Sequence, residues 1–126
     1  MKKFLIITLS FFAFISLMYL GLNLFGKMIY NKQSCERFNI DNIELRTGVN
    51  IPEVTTTYCQ CKDNKKVSKF IINTDKVDLD NYVSRNDFTQ IDDLYIKEND
   101  TKNSTYKVVC NKKTAELIVN ITYKTN

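Results

Sequence analysis

Four cysteines are the residues of this chain whose type and spacing best suit them to chemistry: Cys35, Cys59, Cys61 and Cys110. All four lie in the polar remainder of the chain, residues 31–126, after a long apolar segment. An even number of cysteines in a domain of this size is typical of disulfides in an exported protein. We therefore predict that all four are disulfide-bonded.

Cys59 and Cys61 are two residues apart in a predicted strand, so their side chains point to the same face of it. A direct bridge between them would be strained against the geometry that disulfides prefer. We expect one of them to pair with Cys35 and the other with Cys110, and the spacing leaves open which takes which partner. The alternative is an exported thiol–disulfide protein that uses Cys59 and Cys61 themselves, with three nearby lysines stabilising a thiolate.

Other reactive groups form no pattern that predicts catalysis. The chain has no histidine, which removes the commonest general base and zinc ligand at neutral pH. Asp75, Asp78 and Asp80 lack the central glycine and terminal glutamate of a calcium loop, so we interpret them as capping and turn residues. We expect no catalytic, cofactor-binding or metal-binding residues, no cofactor, no small-molecule substrate and no enzymatic activity.

The apolar segment Phe4 to Gly26 contains no charge and follows Lys2 and Lys3, with Lys27 after it. A helix of this length reaches roughly 34 Å, enough for a hydrocarbon core of about 30 Å. We predict that it is a transmembrane helix and that residues 1–30 form a membrane anchor. The alternative is secretion after cleavage of a signal peptide. The segment is longer than the apolar region of a typical signal peptide, and its candidate cleavage sites are poor, so we favour the anchor.

The location of the remaining domain follows from its cysteines, because the charges on the two sides of the span hardly differ. Disulfides persist on the oxidising side of a membrane, so we expect a cytoplasmic N-terminus and a periplasmic or extracellular domain, residues 31–126.

The domain itself is nearly neutral. Removing three lysines that flank the span from the 18 basic residues leaves 15 against 14 acidic ones. These charges are interleaved, so nucleic-acid binding is not expected.

The residue pattern of this domain predicts an α+β fold. Alternating apolar residues after Thr105 and again from Leu117 to Tyr123 indicate a C-terminal hairpin. Asp78 is placed to begin a short helix, and Asp41 and Glu44 suggest a capping box in another that ends at Gly48. We predict a small antiparallel sheet of about five strands with two short helices, cross-linked by disulfides; the predicted strands are 53–62, 67–73, 94–97 and the two strands of the hairpin, with 98–103 as a polar turn.

These features together favour a non-enzymatic binding protein held at a membrane, with another protein or an envelope component as its partner. Within that class, an immunity or inhibitor protein against a toxin or hydrolase of the cell envelope suits the size and the anchor. The alternative is a structural component of an envelope or secretion assembly, in which the membrane helix itself contacts partners.

Overall fold

The computed structural model describes residues 1–124 and begins with helix α1, Lys2–Asn31. This helix contains the predicted span from Phe4 to Gly26, and its most apolar 18-residue window has a mean hydropathy of 2.3. The chain therefore has an N-terminal helix long and apolar enough to cross a membrane. A signal sequence at this position would satisfy the same criterion of length and composition.

The chain from Gln33 onward forms a second compact unit. Among residues 1–124, this unit contains six strands in one antiparallel sheet, in the order β1-β2-β6-β5-β4-β3, and two helices. The predicted α+β class is confirmed. The elements are α2 Asn39–Thr47, β1 Val54–Lys62, β2 Lys65–Ile72, α3 Leu79–Arg85, β3 Thr89–Ile91, β4 Leu94–Asp100, β5 Ser104–Asn111 and β6 Glu116–Tyr123.

Both short helices lie over one face of the sheet, which we call the covered face. Strand alternation places every second residue there, and the central strands bury these residues almost completely. Ile43 of α2 and Tyr82 and Val83 of α3 join them in one core. The strand residues of this core are Phe70, Ile72, Tyr106, Val108, Cys110, Leu117, Val119, Ile121 and Tyr123. The opposite side of the sheet is the open face.

The short helix predicted to end at Gly48 is present as α2, and residues 32–38 separate it from α1. Helix α1 ends at Asn31, and α2 begins only at Asn39, because Phe38 adopts a left-handed conformation with φ of 56°. The predicted capping box is wrong: the Glu44 Oε1 atom instead accepts a hydrogen bond of 3.0 Å from the Ile51 backbone N–H. Gly48 does end the helix as predicted, at φ of 69°.

The start of α3 matches the sequence prediction, whereas the end of β4 does not. The Asp78 side chain accepts hydrogen bonds from two backbone N–H groups and begins α3, as predicted. Strand β4 continues through the expected polar turn as far as Asp100, because Glu98 pairs with Lys107 in the ladder to β5. The sixth strand, β3, has three residues and is too short for alternation to reveal it.

Candidate functional site

The open face of the sheet carries a row of aliphatic side chains that no element among residues 33–124 covers. In register across the strands, Ile118 lies opposite Val109, and Val109 lies opposite Ile96. These side chains are only half-buried by their neighbours on the sheet. Ile91, at the β3 edge, is 53 % exposed. The aliphatic residues of the open face are Val67, Ile71, Ile91, Leu94, Ile96, Val109 and Ile118.

The charges around this row are unevenly distributed. Strands β1 and β2 contribute Lys62, Lys65 and Lys69 to the open face, and neither strand contains an acidic residue. Farther along the sheet, Lys107 forms an ion pair of 3.9 Å with Glu98, which offsets its charge. The three lysines of β1 and β2 therefore outnumber the two acidic residues nearest to them, Asp63 in the β1–β2 turn and Glu116 of β6 opposite Ile71.

Strand β1 forms one edge of the sheet and is nine residues long. Its segment Val54–Cys61 contains no charged residue, although charges are a common protection of edge strands. Tyr58 projects from it to the open face, where it is 50 % exposed, and its hydroxyl donates a hydrogen bond to Gln60 Oε1 at 3.0 Å. An exposed tyrosine beside an aliphatic row is a frequent anchor in protein interfaces.

Three cysteines converge on the other side of β1, toward the covered face. Cys35 is disulfide-bonded to Cys59, with 5.7 Å between their Cα atoms, so the predicted link from Cys35 to the first strand is present. Cys61 is a free, exposed cysteine, and its Sγ atom lies 2.9 Å from Cys35 Sγ. All three sulfur atoms lie within 4.8 Å of one another. We call Cys35, Cys59 and Cys61 the cysteine cluster.

Cys110 does not take part in a disulfide, so the prediction of a second cross-link is wrong. It lies in β5, which β2 and β6 separate from β1. With strands about 4.8 Å apart, this places it about 14 Å from β1, beyond the roughly 7 Å between Cα atoms that a disulfide tolerates. Cys110 is fully buried, and this burial raises the pKa of its thiol to about 11.

A buried polar network lies next to the cysteine cluster, beneath α2. Lys66, opposite Cys61 in the ladder, is 1 % exposed, and its Nζ donates to Asn42 Oδ1 at 2.6 Å. The Tyr123 hydroxyl donates to the same oxygen atom at 2.8 Å. Burial lowers the pKa of Lys66 to about 8, an effect that the negative charge of a Cys61 thiolate opposes. Arg46 stacks over the Tyr123 ring at 4.8 Å from its centroid.

The carboxylates noted in the sequence are dispersed rather than gathered into a site. Asp78 caps α3, and Asp80 forms an ion pair with Lys112. A polar cleft of about 320 Å³ lies beside α3, where the Tyr82 hydroxyl donates to the Asn50 carbonyl at 2.7 Å. These residues fill structural roles in the part of the chain that is described.

The sequence prediction missed the open face and the buried Lys66. Signals for both were present: Val67 and Ile71 are apolar at the strand positions between the core residues, and Lys66 occupies a core position of β2. Comparisons of the chain with protein-family models, with curated proteins and with solved structures find no match. Any inference about function therefore rests on the surfaces and side chains of the molecule itself.

Proposed function

We propose that the protein is a membrane-anchored, non-enzymatic binding protein whose sheet domain lies on the periplasmic or extracellular side and binds another protein through the open face. The observation that carries this proposal is the uncovered aliphatic row centred on Val109 and Ile118. Apolar centres with polar rims are the usual anatomy of specific protein interfaces. The Cys35–Cys59 disulfide supports an oxidising location for the domain.

The charge distribution indicates the chemistry of the partner. Lys62, Lys65 and Lys69 border the aliphatic row on one side and outnumber the neighbouring acidic residues, Asp63 and Glu116. A partner surface with an apolar centre and an acidic rim would match both features, because complementary charges speed association and exclude competing partners. We therefore infer that the partner is a protein with an acidic binding surface.

An anchored binding domain acts at the membrane without a large intrinsic affinity. Tethering raises the effective concentration of the domain for a target that works at the same surface. This supports the narrower form of the proposal, an immunity or inhibitor protein against a toxin or hydrolase that acts in the cell envelope. Blocking such a target requires contact alone and no catalytic group.

The proposal can be tested with the full-length protein in its own membrane. A photo-crosslinking amino acid is placed at Ile118 or Val109 on the open face, and at Ser84, an exposed position of α3, as the matched control. We expect the two open-face positions to capture the same protein through an acidic segment and Ser84 to capture none. Crosslinking from Ser84 alone, or from no position, would contradict the proposal.

Two variants then separate the contributions of the apolar row and of the lysines. Ile118→Asp should abolish the crosslink from Val109, because it buries an unpaired charge in the interface. Reversal of Lys62, Lys65 and Lys69 to glutamate should weaken capture, most strongly at low salt. Replacement of α1 by an unrelated membrane helix should leave capture intact, whereas loss of capture would favour a component of an envelope assembly that is contacted through its span.

A further inference from the structure

The cysteine cluster has an arrangement that a single structural disulfide does not require. Cys59 and Cys61 point to the same face of β1 because they are two residues apart, and Cys35 approaches them from the non-helical segment that precedes α2. Its sulfur atom is bonded to Cys59 Sγ and lies 2.9 Å from Cys61 Sγ. The Cys35 sulfur atom is therefore within bonding reach of both Cys59 and Cys61.

This geometry meets the main requirement of thiol–disulfide exchange, which is a thiolate positioned against one sulfur atom of a disulfide. The Cys61 sulfur atom is in contact with the Cys35 end of the bond, so no movement of the strands is needed for attack. Cys61 is exposed, while Cys59 is partly covered and accepts a hydrogen bond of 3.4 Å from the Ser68 hydroxyl. The two alternative pairings therefore differ in their access to solvent.

A lysine lies beside the cluster on the same face of the sheet. Lys66 lies directly opposite Cys61 in the β1–β2 ladder, on the same face, and the charges of the two groups influence each other. A nearby ammonium group stabilises a thiolate, the form of cysteine that attacks disulfides. The side chain of Lys66 is fixed by its 2.6 Å hydrogen bond to Asn42, so the positive charge is held in place.

We propose that Cys35, Cys59 and Cys61 form a thiol–disulfide exchange site in which Cys35 is bonded to Cys59 and Cys61 in turn, and whose external reactants are the thiols of exported proteins or small molecules. In the internal step, the Cys61 thiolate attacks Cys35 Sγ, the Cys35–Cys61 bond forms, and the Cys35–Cys59 bond breaks. Cys59 leaves as a thiolate and takes up the proton that Cys61 lost. The number of disulfides and thiols is unchanged, so this step needs no oxidant or reductant.

The internal step carries the disulfide from a partly covered position to an exposed one. An external thiolate can then attack the Cys61 sulfur atom of the Cys35–Cys61 pair, which forms a mixed disulfide on Cys61 and releases Cys35 as a thiolate. Electrons balance, because the external thiol is oxidised to the mixed disulfide and Cys35 is reduced. Cys110 cannot take part, since it is fully buried about 14 Å from β1.

Alkylation of the native, full-length protein in mild detergent tests the internal step directly. The free thiols are capped with iodoacetamide, the protein is digested at low pH without reduction, and fragmentation between Cys59 and Cys61 locates the cap. We expect two populations, one with Cys35–Cys59 and capped Cys61 and the other with Cys35–Cys61 and capped Cys59. The Cys59→Ser variant should contain the Cys35–Cys61 disulfide.

Two results would overturn the proposal. The first is a cap on Cys61 alone in the native protein, together with reduced Cys35 in Cys59→Ser. The second is stoichiometric zinc bound to three thiols in the isolated protein, because a metal site uses the same sulfur atoms without a disulfide. The cluster supplies three ligand atoms among the described residues, one fewer than a closed zinc site has.

The external step is tested with reduced glutathione as the probe. In wild type, the disulfide should be reduced in a fast phase, because the internal step presents it at the exposed Cys61. The Cys61→Ser variant keeps the Cys35–Cys59 bond and should lose this fast phase, while Cys110→Ser, the matched control, should keep it. Equal rates in wild type and Cys61→Ser would refute the external step, whatever partner the open face binds.

Discussion

The buried Lys66 makes the stability of the domain depend on pH in a direction that can be calculated. The side chain is 1 % exposed, and burial lowers its pKa from 10.5 to about 8. The difference of about 2.5 units corresponds to a cost on the order of 3 kcal/mol for folding with a charged Lys66 at neutral pH. We predict that Lys66→Met removes this cost, since methionine fills similar space without a charge and Tyr123 still donates to Asn42.

The sign of the pH dependence follows from proton binding. Between pH 8 and 10.5 the unfolded chain keeps the Lys66 proton while the folded protein has lost it, so stability rises with pH. For a folded pKa of about 8, the cost falls by about 1 kcal/mol between pH 8 and 9. Burial also raises the pKa of Cys110 and Tyr123, and these groups lower stability as pH rises, mainly above pH 9. Their contribution cancels when wild type and Lys66→Met are compared at each pH.

The assay is denaturant unfolding of the full-length protein in mild detergent, followed by near-ultraviolet circular dichroism at pH 7, 8 and 9. Lys66→Met should be more stable than wild type at pH 7, and its advantage should shrink by about 1 kcal/mol between pH 8 and 9. Lys69→Met, on the exposed face of the same strand, is the matched control and should leave the pH dependence as in wild type. A constant difference between Lys66→Met and wild type across these pH values would refute the reasoning.

Three further predictions concern single residues. Asn42→Ala should cost about 2–3 kcal/mol of unfolding free energy in the same denaturant assay, because the Lys66 ammonium and the Tyr123 hydroxyl both lose a buried acceptor; a loss below 0.5 kcal/mol would contradict the network. Gly48→Ala should lower the free energy of unfolding by about 1 kcal/mol, since alanine is strained at φ of 69°. An unchanged midpoint of denaturant unfolding would show that the end of α2 relaxes instead. Cys110 should react with iodoacetamide only after unfolding, because it is fully buried with its pKa raised to about 11, and mass spectrometry of the native protein would detect any contrary labelling.

The fold could be predicted from the sequence wherever side-chain alternation or a capping residue was clear. Tyr106 to Cys110 and Leu117 to Tyr123 alternate strictly, and both runs are strands with their apolar members in the core. Asp78 begins a helix because a carboxylate at that position satisfies backbone N–H groups that have no partner within the helix. The short β3 and the polar end of β4 carry no such pattern, since ladder hydrogen bonds alone define them.

The candidate sites could be predicted only in part, because they depend on contacts between distant segments. The two-residue spacing of Cys59 and Cys61 predicts that both face one way, and a link from Cys35 to one of them was expected. The approach of Cys35 to both sulfur atoms at once depends on the conformation of residues 32–38, the non-helical segment between α1 and α2, for which the sequence gives no clear pattern. The error over Cys110 has a similar origin: strand order decides which strands are neighbours, and the spacing of cysteines along the chain does not encode it.

Strand β1 connects the two proposals, but it presents different residues to each. Tyr58 and Gln60 point to the open face, whereas Cys59 and Cys61 alternate with them and point the other way. Ile118→Asp therefore changes the binding surface without touching a sulfur atom, and Cys61→Ser changes the exchange site without touching the aliphatic row. If Cys61→Ser nonetheless weakened capture of the partner from Val109, the disulfide position would have to alter β1 itself, the strand that both surfaces share. Unchanged capture would show that the two faces act independently.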